Sequence, residues 1–331
     1  MSLYLHGLGH FHPENEISNQ FLEDLDIGTD DGWIMERVGI KARRTVMSLD
    51  YIRETRNVDP AGAAEASVYT HADTGRRAAE MALKRAGIEA GDVGMVIAGS
   101  SRPDTLSPAD ACNVAAALGI EAPAFDINSA CTSYNVALHL LAMMRPEALP
   151  EFILLVTASS LTTTVDYADR TAAVLWGDGT AAAVLSTKVK SRIEIVGTTV
   201  ESSPAGNDKV VVPLFGHFNQ EGRTVQMFAI KRTVRLLRRQ QKTYTDPGRR
   251  LHFIGHQANL RMLETVCNQC DIDDDRHHFN VIEYGNTGAA GSPSVISMNW
   301  DGWTDQDDIA VVGVGSGLSW SSHLVRFGGD S

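Results

Sequence analysis

Three segments of this 331-residue chain put reactive or hydrogen-bonding side chains where an apolar run gives way to a turn. In Asp126-Ile-Asn-Ser-Ala-Cys131-Thr-Ser-Tyr-Asn135 a cysteine stands at a strand-to-helix junction. Unpaired N–H groups and partial positive charge at a helix N-terminus favour a thiolate there. Such a thiolate can attack a thioester, and a neighbouring backbone N–H can hold the developing oxyanion. A lone cysteine is equally a small apolar filler of a helix–sheet contact, so the rest of the chain decides. Gly255-His256-Gln-Ala-Asn259-Leu-Arg261 sets a histidine just after one apolar run, and Glu283-Tyr-Gly-Asn286-Thr-Gly sets an asparagine just after another. Open α/β sheets build their sites at strand ends, so all three side chains are expected at one end of a sheet. Singly, the histidine would be satisfied structure and the asparagine a turn residue. Together they predict a site for acyl chemistry.

The elements that must position them alternate strand and helix. Positions 93–99, 124–128, 152–158 and 181–185 read as short strands. Runs apolar on both faces suggest a sheet covered on both sides by helices. An Ala-rich helix at 74–86 stops at Gly87, a second runs from about 108 to 119, and a third from about 131 to 144. A polar connector at 186–191 changes the rhythm. Strands at 193–200, 251–255, 279–282, 309–314 and 320–327 then interleave with helices at about 225–241, 259–270 and 288–298. The second half follows the order of the first without a residue-level repeat. A pseudo-duplicated α/β protein is predicted, with halves 1–187 and 188–331.

With 29 Lys+Arg against 41 Asp+Glu, the formal charge is −12. An overall electrostatic grip on nucleic acid needs the opposite surplus, so none is expected. A hydrophobic content of 43% and a charged content of 21% exclude a disordered chain. Cys112, Cys131, Cys267 and Cys270 are too few for a disulfide scaffold and fit a reducing cytosol. No run reaches the roughly 18 apolar residues of a membrane span. The start, MSLYLHGLGHFHPEN, lacks the basic residues and apolar stretch of a secretory leader, so a cytoplasmic protein is expected. Cys267-Asn-Gln-Cys270 has no second ligand pair at zinc spacing, and no metal is expected. One feature opposes the net charge. Lys231, Arg232, Arg235, Arg238, Arg239 and Lys242 recur at helical spacing opposite Ile230, Val234 and Leu237, which predicts an amphipathic helix with a basic outer stripe.

The three reactive segments closely resemble motifs of ketoacyl-acyl-carrier-protein synthase III, a condensing enzyme with the thiolase fold. The resemblance covers nearly the whole chain. Asp31-Gly-Trp33-Ile-Met-Glu-Arg37-Val-Gly-Ile-Lys-Ala-Arg43-Arg44 is similar to that family's N-terminal signature. Val165-Asp-Tyr-Ala-Asp169-Arg170 followed by Trp176-Gly177-Asp178-Gly179-Thr180 resembles its middle block. Gly313-Val-Gly315-Ser316-Gly317-Leu-Ser-Trp320 resembles its glycine-rich close.

The resemblance implies a thiolase-like fold, two α/β halves in an α-β-α-β-α stack. It makes Cys131 the nucleophile that takes an acyl group from acyl-CoA, with the backbone N–H groups of Cys131 and Ser316 as oxyanion hole. His256 and Asn286 then bind the carbonyl of a malonyl thioester, whose decarboxylation leaves an enolate that needs two donors. Asparagine donates without titrating, and histidine donates from Nε2 in the correct tautomer. The carbanion attacks acyl-Cys131 and forms a carbon–carbon bond. Asn286, in place of a second histidine, points to the synthase III branch. Trp33, Arg37 and Arg170 fall at coenzyme A positions, where indole stacks on the base and guanidinium stacks or pairs with phosphate. Asn259 falls at a position that orients His256 through ordered water. An acyl carrier protein is the implied partner of the basic stripe, docking on Arg232, Arg235, Arg239 and Arg261. A homodimer is implied, its sheet continuing across a two-fold axis. No cofactor is implied beyond the substrates acyl-CoA and malonyl thioester.

Three features depart from the family pattern. The stretch 46–71 is longer than in housekeeping synthases, so an elaborated loop near the entrance is expected. Ser316 replaces a glycine, which puts a side chain within reach of the site. Gln226 stands where an aromatic would line the acyl pocket, and Ser100 and Ser101 follow a strand near Cys131. A more polar pocket predicts a primer other than acetate. Papain-like proteases share the order Cys, His, Asn, but Phe125 and Thr132 stand where those carry a glutamine and an aromatic. Two further readings share these residues: acyl transfer or condensation without decarboxylation, and a non-catalytic carrier-binding subunit. The second ordinarily lacks the nucleophile that this chain retains.

Overall fold

Strands buried along their whole length set the architecture of the computed structural model, which describes residues 2–244 and 246–329. The main sheet contains β1 (Leu3–Phe11), β2 (Val93–Gly99), β3 (Ala124–Ile127), β4 (Phe152–Ser159) and β5 (Gly179–Ser186). It continues through β6 (Ile193–Ser202), β7 (Arg250–Gly255), β8 (Asp307–Gly315) and β9 (Ser319–Phe327). Their order across the sheet is β7-β8-β9-β6-β1-β5-β4-β2-β3. Every residue of β4, β5 and β8 is buried, as a sheet with helices on both faces requires.

The sheet is two similar units joined at a short seam. β1 pairs antiparallel with β5 and β5 antiparallel with β4, while β4 and β2 are parallel, as are β2 and β3. The second unit repeats these senses: β6 with β9 and β9 with β8 are antiparallel, and β8 with β7 is parallel. At the seam Leu3 pairs with Ile195 and Tyr4 with Glu194. Six longer helices complete the layers: α1 (His71–Ala86), α2 (Asp110–Leu118), α3 (Ser133–Met143), α4 (Gly222–Tyr244), α5 (Leu260–Cys270) and α6 (Gly291–Met298). α1 and α2 pack on the first unit, α4 on the second with α5 against it, and α3 and α6 against strands of both. The α-β-α-β-α stack expected from sequence is the one formed. Among the described residues no helix is long and apolar enough to cross a membrane.

α1 shows how closely the layers approach. Thr70 and Asp73 form a capping box at its start, and Gly87 closes it at φ 70°. Its backbone lies directly on β1, where a Cβ on Gly9 would stand 2.0 Å from the Ala78 carbonyl oxygen. Gly7 and Gly9, with His6 and His10 on either side of them, break the apolar alternation, which is why residues 3–11 carry no strand signature although they form the seam.

Two expectations fail. No strand forms at 279–282: Asn280 and Val281 donate their N–H groups to Gln257 Oε1, at 3.0 and 3.3 Å, and Val281–Tyr284 turns into a short helix. The stretch 46–71 does not elaborate the main entrance. It folds into helices Leu49–Thr55 and Pro60–Glu65 and helps to wall a separate cavity of about 140 Å³.

Gly9→Ala should force α1 off β1 and cost about 2–3 kcal/mol in chemical denaturation. Gly91→Ala, with open space around it, is the control and should stay within about 0.5 kcal/mol of the parent.

Candidate active site

Cys131 follows β3 in a turn of 3₁₀ helix, Ala130–Thr132, that leads into α3. Ala130 adopts a left-handed φ of 48°, and strain of this kind in a non-glycine residue marks a turn held by its surroundings. Thr132 Oγ1 donates to the Ser129 carbonyl at 2.7 Å and lies 2.9 Å from Ser319 Oγ, which donates to the Ser316 carbonyl at 3.1 Å. A Cβ on Gly315 would stand 3.2 Å from the Cys131 nitrogen, so glycine lets the closing loop reach the Cys131 N–H. The Ser316 hydroxyl donates to the Val210 carbonyl. It anchors the hairpin of Val210–Val211 and Asn219–Gln220.

His256 follows β7. Gln257, which the sequence reading passed over, holds it there: its Nε2 donates to the Gly255 carbonyl at 2.7 Å while its Oε1 takes the two N–H groups of 280–281. Its place beside His256 at the end of an apolar strand was the available signal. Asn286 is fixed through its backbone, donating to the Leu175 carbonyl at 2.8 Å and accepting from Gly177 N–H at 3.1 Å. Asn286 Oδ1 accepts from Gly288 N–H at 3.0 Å, which turns the amide NH₂ to the free side. Arg43, fully buried, braces the same loops by donating to the Val174 carbonyl at 3.0 Å and to Asn19.

Cys131, His256 and Asn286 open into one cavity of about 550 Å³. Trp33, Arg37, Asn259, Gln226 and Ser316 line it as well. Arg170 stands just outside, donating to the Gly28 carbonyl. The guanidinium carbons of Arg37 and Arg170 each lie 4.8 Å from the Trp33 ring centroid, so the indole makes cation–π contacts with two arginines. Asn259 caps α5: its Oδ1 accepts from Met262 N–H at 2.7 Å and so faces the helix. Ser100 lies off the cavity, its Oγ accepting from Arg102 N–H at 3.1 Å in the turn after β2. Gln226 is exposed and borders the cavity from α4, while Val225, Ala229, Val314 and Leu318 make much of the wall apolar. Of the two residues expected in a polar acyl pocket, Gln226 therefore borders the cavity and Ser100 does not.

The basic stripe is also less free than its spacing suggests. Arg235 and Arg239 pair with Glu201, and Arg238 donates to the Gln269 carbonyl at 2.7 Å. Arg232 lies 4.2 Å over the Trp320 ring. Arg261, on α5, pairs with Glu264 and donates to the Met35 carbonyl.

Burial decides the protonation states. The Cys131 thiol touches the cavity but is enclosed by protein, and burial pushes it up to about 12 against a weaker backbone hydrogen bond. The thiolate expected from the helix terminus is not the resting form. Burial lowers His256 to about 4, so its imidazole is neutral, with one nitrogen to donate and one to accept. Alkylation of Cys131 by iodoacetamide should therefore still rise with pH at about pH 9–10; a plateau near neutrality would show an ionised thiol.

A two-unit sheet with cysteine, histidine and asparagine around one cavity defines a thiolase-fold condensing enzyme. The family model for 3-oxoacyl-[acyl-carrier-protein] synthase III matches residues 125–204, and that for its C-terminal part matches 245–327. A beta-ketoacyl-[acyl-carrier-protein] synthase III of Aliarcobacter butzleri is 32% identical over 340 residues, covering 97% of this chain and 96% of its own. One from Clostridium botulinum is 31% identical over 338 residues, with 96% and 97% covered. The crystal structure of 3-oxoacyl-[acyl-carrier-protein] synthase III from Aquifex aeolicus is similar at a TM-score of 0.86 and 26% identity, covering 98% of this chain and 100% of that one. The chain belongs to the 3-oxoacyl-[acyl-carrier-protein] synthase III family.

Proposed function

We propose that this chain condenses an acyl group held on Cys131 with a malonyl thioester, losing carbon dioxide and releasing a β-ketoacyl thioester. The observation that carries the reading is the opening of Cys131, His256 and Asn286 into one cavity that Trp33, in contact with Arg37 and Arg170, also lines. The names of the relatives support it. An acyl-CoA enters with its nucleotide end at Trp33, Arg37 and Arg170, one guanidinium yielding an indole face to the base. The neutral His256 accepts the Cys131 proton as sulfur attacks the acyl carbon, and passes it to the departing coenzyme A sulfur. The N–H groups of Cys131 and Ser316 stabilise the oxyanion. The malonyl thioester follows, its carbonyl held by His256 Nε2–H and Asn286 Nδ2–H. Loss of carbon dioxide leaves an enolate, whose carbon attacks the acyl-Cys131 carbonyl and expels the Cys131 thiolate, which takes a proton from solvent to return the thiol.

The apolar wall favours an apolar acyl primer. An acyl carrier protein is the proposed extender carrier, docking on α4 around Lys231 and Arg232; Lys231 has no ion pair among the described residues. Among the described residues the outer edge of β3 has no partner strand, and Phe125 there is 39% exposed, which favours a homodimer built across that edge. Four free thiols favour a cytoplasmic location.

Incubation with a panel of acyl-CoA donors should leave an acyl mass on Cys131, lost in Cys131→Ala; no adduct with any donor would overturn the reading. Carbon dioxide release from a malonyl thioester should fall by about 10²–10³-fold in His256→Ala or Asn286→Ala. Because His256 titrates at about 4, that release should hold level between about pH 5 and 8, and an inflection near the ordinary histidine value would count against a buried neutral ring.

A further inference from the structure

His71 opens α1, Asp110 opens α2 and Ser160 follows β4, and the three side chains meet in a buried line apart from the Cys131 cavity. His71 Nδ1 lies 2.6 Å from Asp110 Oδ2, and its Nε2 lies 2.9 Å from Ser160 Oγ. The carboxylate fixes the tautomer: Nδ1–H donates to Asp110, leaving the Nε2 lone pair to accept from the serine hydroxyl. Asp110 is held in turn, its N–H donating to Asp126 Oδ2 at 2.9 Å. Burial opposes charge on His71, but the Asp110 hydrogen bond and the carboxylates of Asp104 and Asp178 outweigh it and raise its pKa. A base oriented by an acid and bonded to a hydroxyl is the arrangement of an activated nucleophile.

Ser160 is the member of the line that meets open space. It borders the cavity of about 140 Å³ that Ala64, Ser67 and Tyr69 close from one side and Arg102 from another. At roughly 30 Å³ per water, this is room for an acetyl- or propionyl-sized group. The walls from 64–69 belong to the stretch that departs from the family pattern. A serine that only satisfied the ring would need no cavity. The next N–H in the chain, that of Leu161, makes no hydrogen bond among the described residues and is the nearest donor along the chain for an oxyanion. His71, Asp104 and Asp110 also lie close enough for a cation. But Asp110 is bonded to Nδ1 while Asp104 lies 3.8 Å from Nε2, on the other edge of the ring, so no single ring nitrogen faces both carboxylates.

We propose that Ser160, His71 and Asp110 form a second acyl-accepting site, independent of Cys131, that takes a short acyl group from an ester or thioester and hydrolyses it. Ser160 Oγ bonds to the acyl carbon as His71 Nε2 takes its proton. The bond to the alcohol or thiol breaks, and that group leaves with the proton from Nε2. Water, deprotonated by the same nitrogen, cleaves the acyl-serine ester, releases the carboxylic acid and restores the hydroxyl.

The test uses p-nitrophenyl acetate on the full chain carrying Cys131→Ala, which removes the competing thiol. Nitrophenolate release and the mass of the Ser160 peptide are followed together. An acetyl group on Ser160 is expected, with release slowed roughly 10²-fold by Ser160→Ala and by Asp110→Asn, and falling as pH drops through the His71 pKa. Ser160→Cys, which keeps a nucleophile in place, should retain labelling, and melting curves identify any variant that fails to fold. Acetyl found only elsewhere, or release unchanged in a folded Ser160→Ala protein, overturns the proposal.

Discussion

Exclusion of water from the meeting point of the two units is the constraint on which the site depends. Helix termini offer Cys131 a favourable field worth about 0.3–1 kcal/mol in exposed settings. Desolvation works in the opposite direction and wins, since the thiol is raised and the imidazole of His256 lowered by the same cause. The result suits a site that must hold a carbonyl without ionising. In the proposed condensation a neutral imidazole and an uncharged amide would donate hydrogen bonds to an oxygen that gains charge only as reaction proceeds, so their interaction would grow toward the transition state. A permanently charged pair would bind the ground state as well.

The duplicated topology explains how three side chains distant in sequence converge. β2 in the first unit corresponds to β7 in the second, and the residues just after them are Ser100 and His256. The chain after β3 carries Cys131 into α3, and the chain after the counterpart segment carries Asn286 into α6. One architectural unit used twice therefore supplies four strand-end positions. Three open into the cavity. The fourth, Ser100, stabilises the turn that sends Arg102 toward the smaller cavity. α3 and α6 touch strands of both units, so the two halves of the site share one middle layer.

What was legible in the sequence was whatever depends on local pattern. Apolar runs such as 152–158 announce buried strands, and the positions of Cys131, His256 and Asn286 after such runs bring them to one end. What depends on long-range contact was not legible. The run 279–282 has strand composition, but the Gln257 carboxamide claims its N–H groups and bends it into a helix. The Arg235 and Arg239 stripe looked free because Glu201, their partner, is more than thirty positions away in the chain. The ionisation of Cys131 was misread because sequence shows a helix start and does not show enclosure. Gln257 and Arg43 act through carbonyls and N–H groups, which no side-chain motif records.

The Gly177-Asp178-Gly179 turn joins several of these contacts. Gly177 lets the backbone approach so closely that a Cβ would stand 1.9 Å from the Tyr284 carbonyl oxygen, and its N–H holds the Asn286 carbonyl. Asp178 is wholly buried, yet it accepts from Val46 N–H and Thr162 N–H, each at 2.9 Å, and from the Thr162 hydroxyl. Burial raises its carboxyl to about 6, and those hydrogen bonds work against that rise. Raised above its ordinary value, the group contributes most to folding at low pH, and that contribution is lost as pH rises through about 6. Gly179 pairs with Ser159, the residue before Ser160. One turn thus fixes Asn286 on one side and the segment carrying Ser160 on the other. A buried charge is a poor source of stability, so its retention here follows from position: it ties the long 46–71 stretch, the serine line and the asparagine loop to a single rigid point.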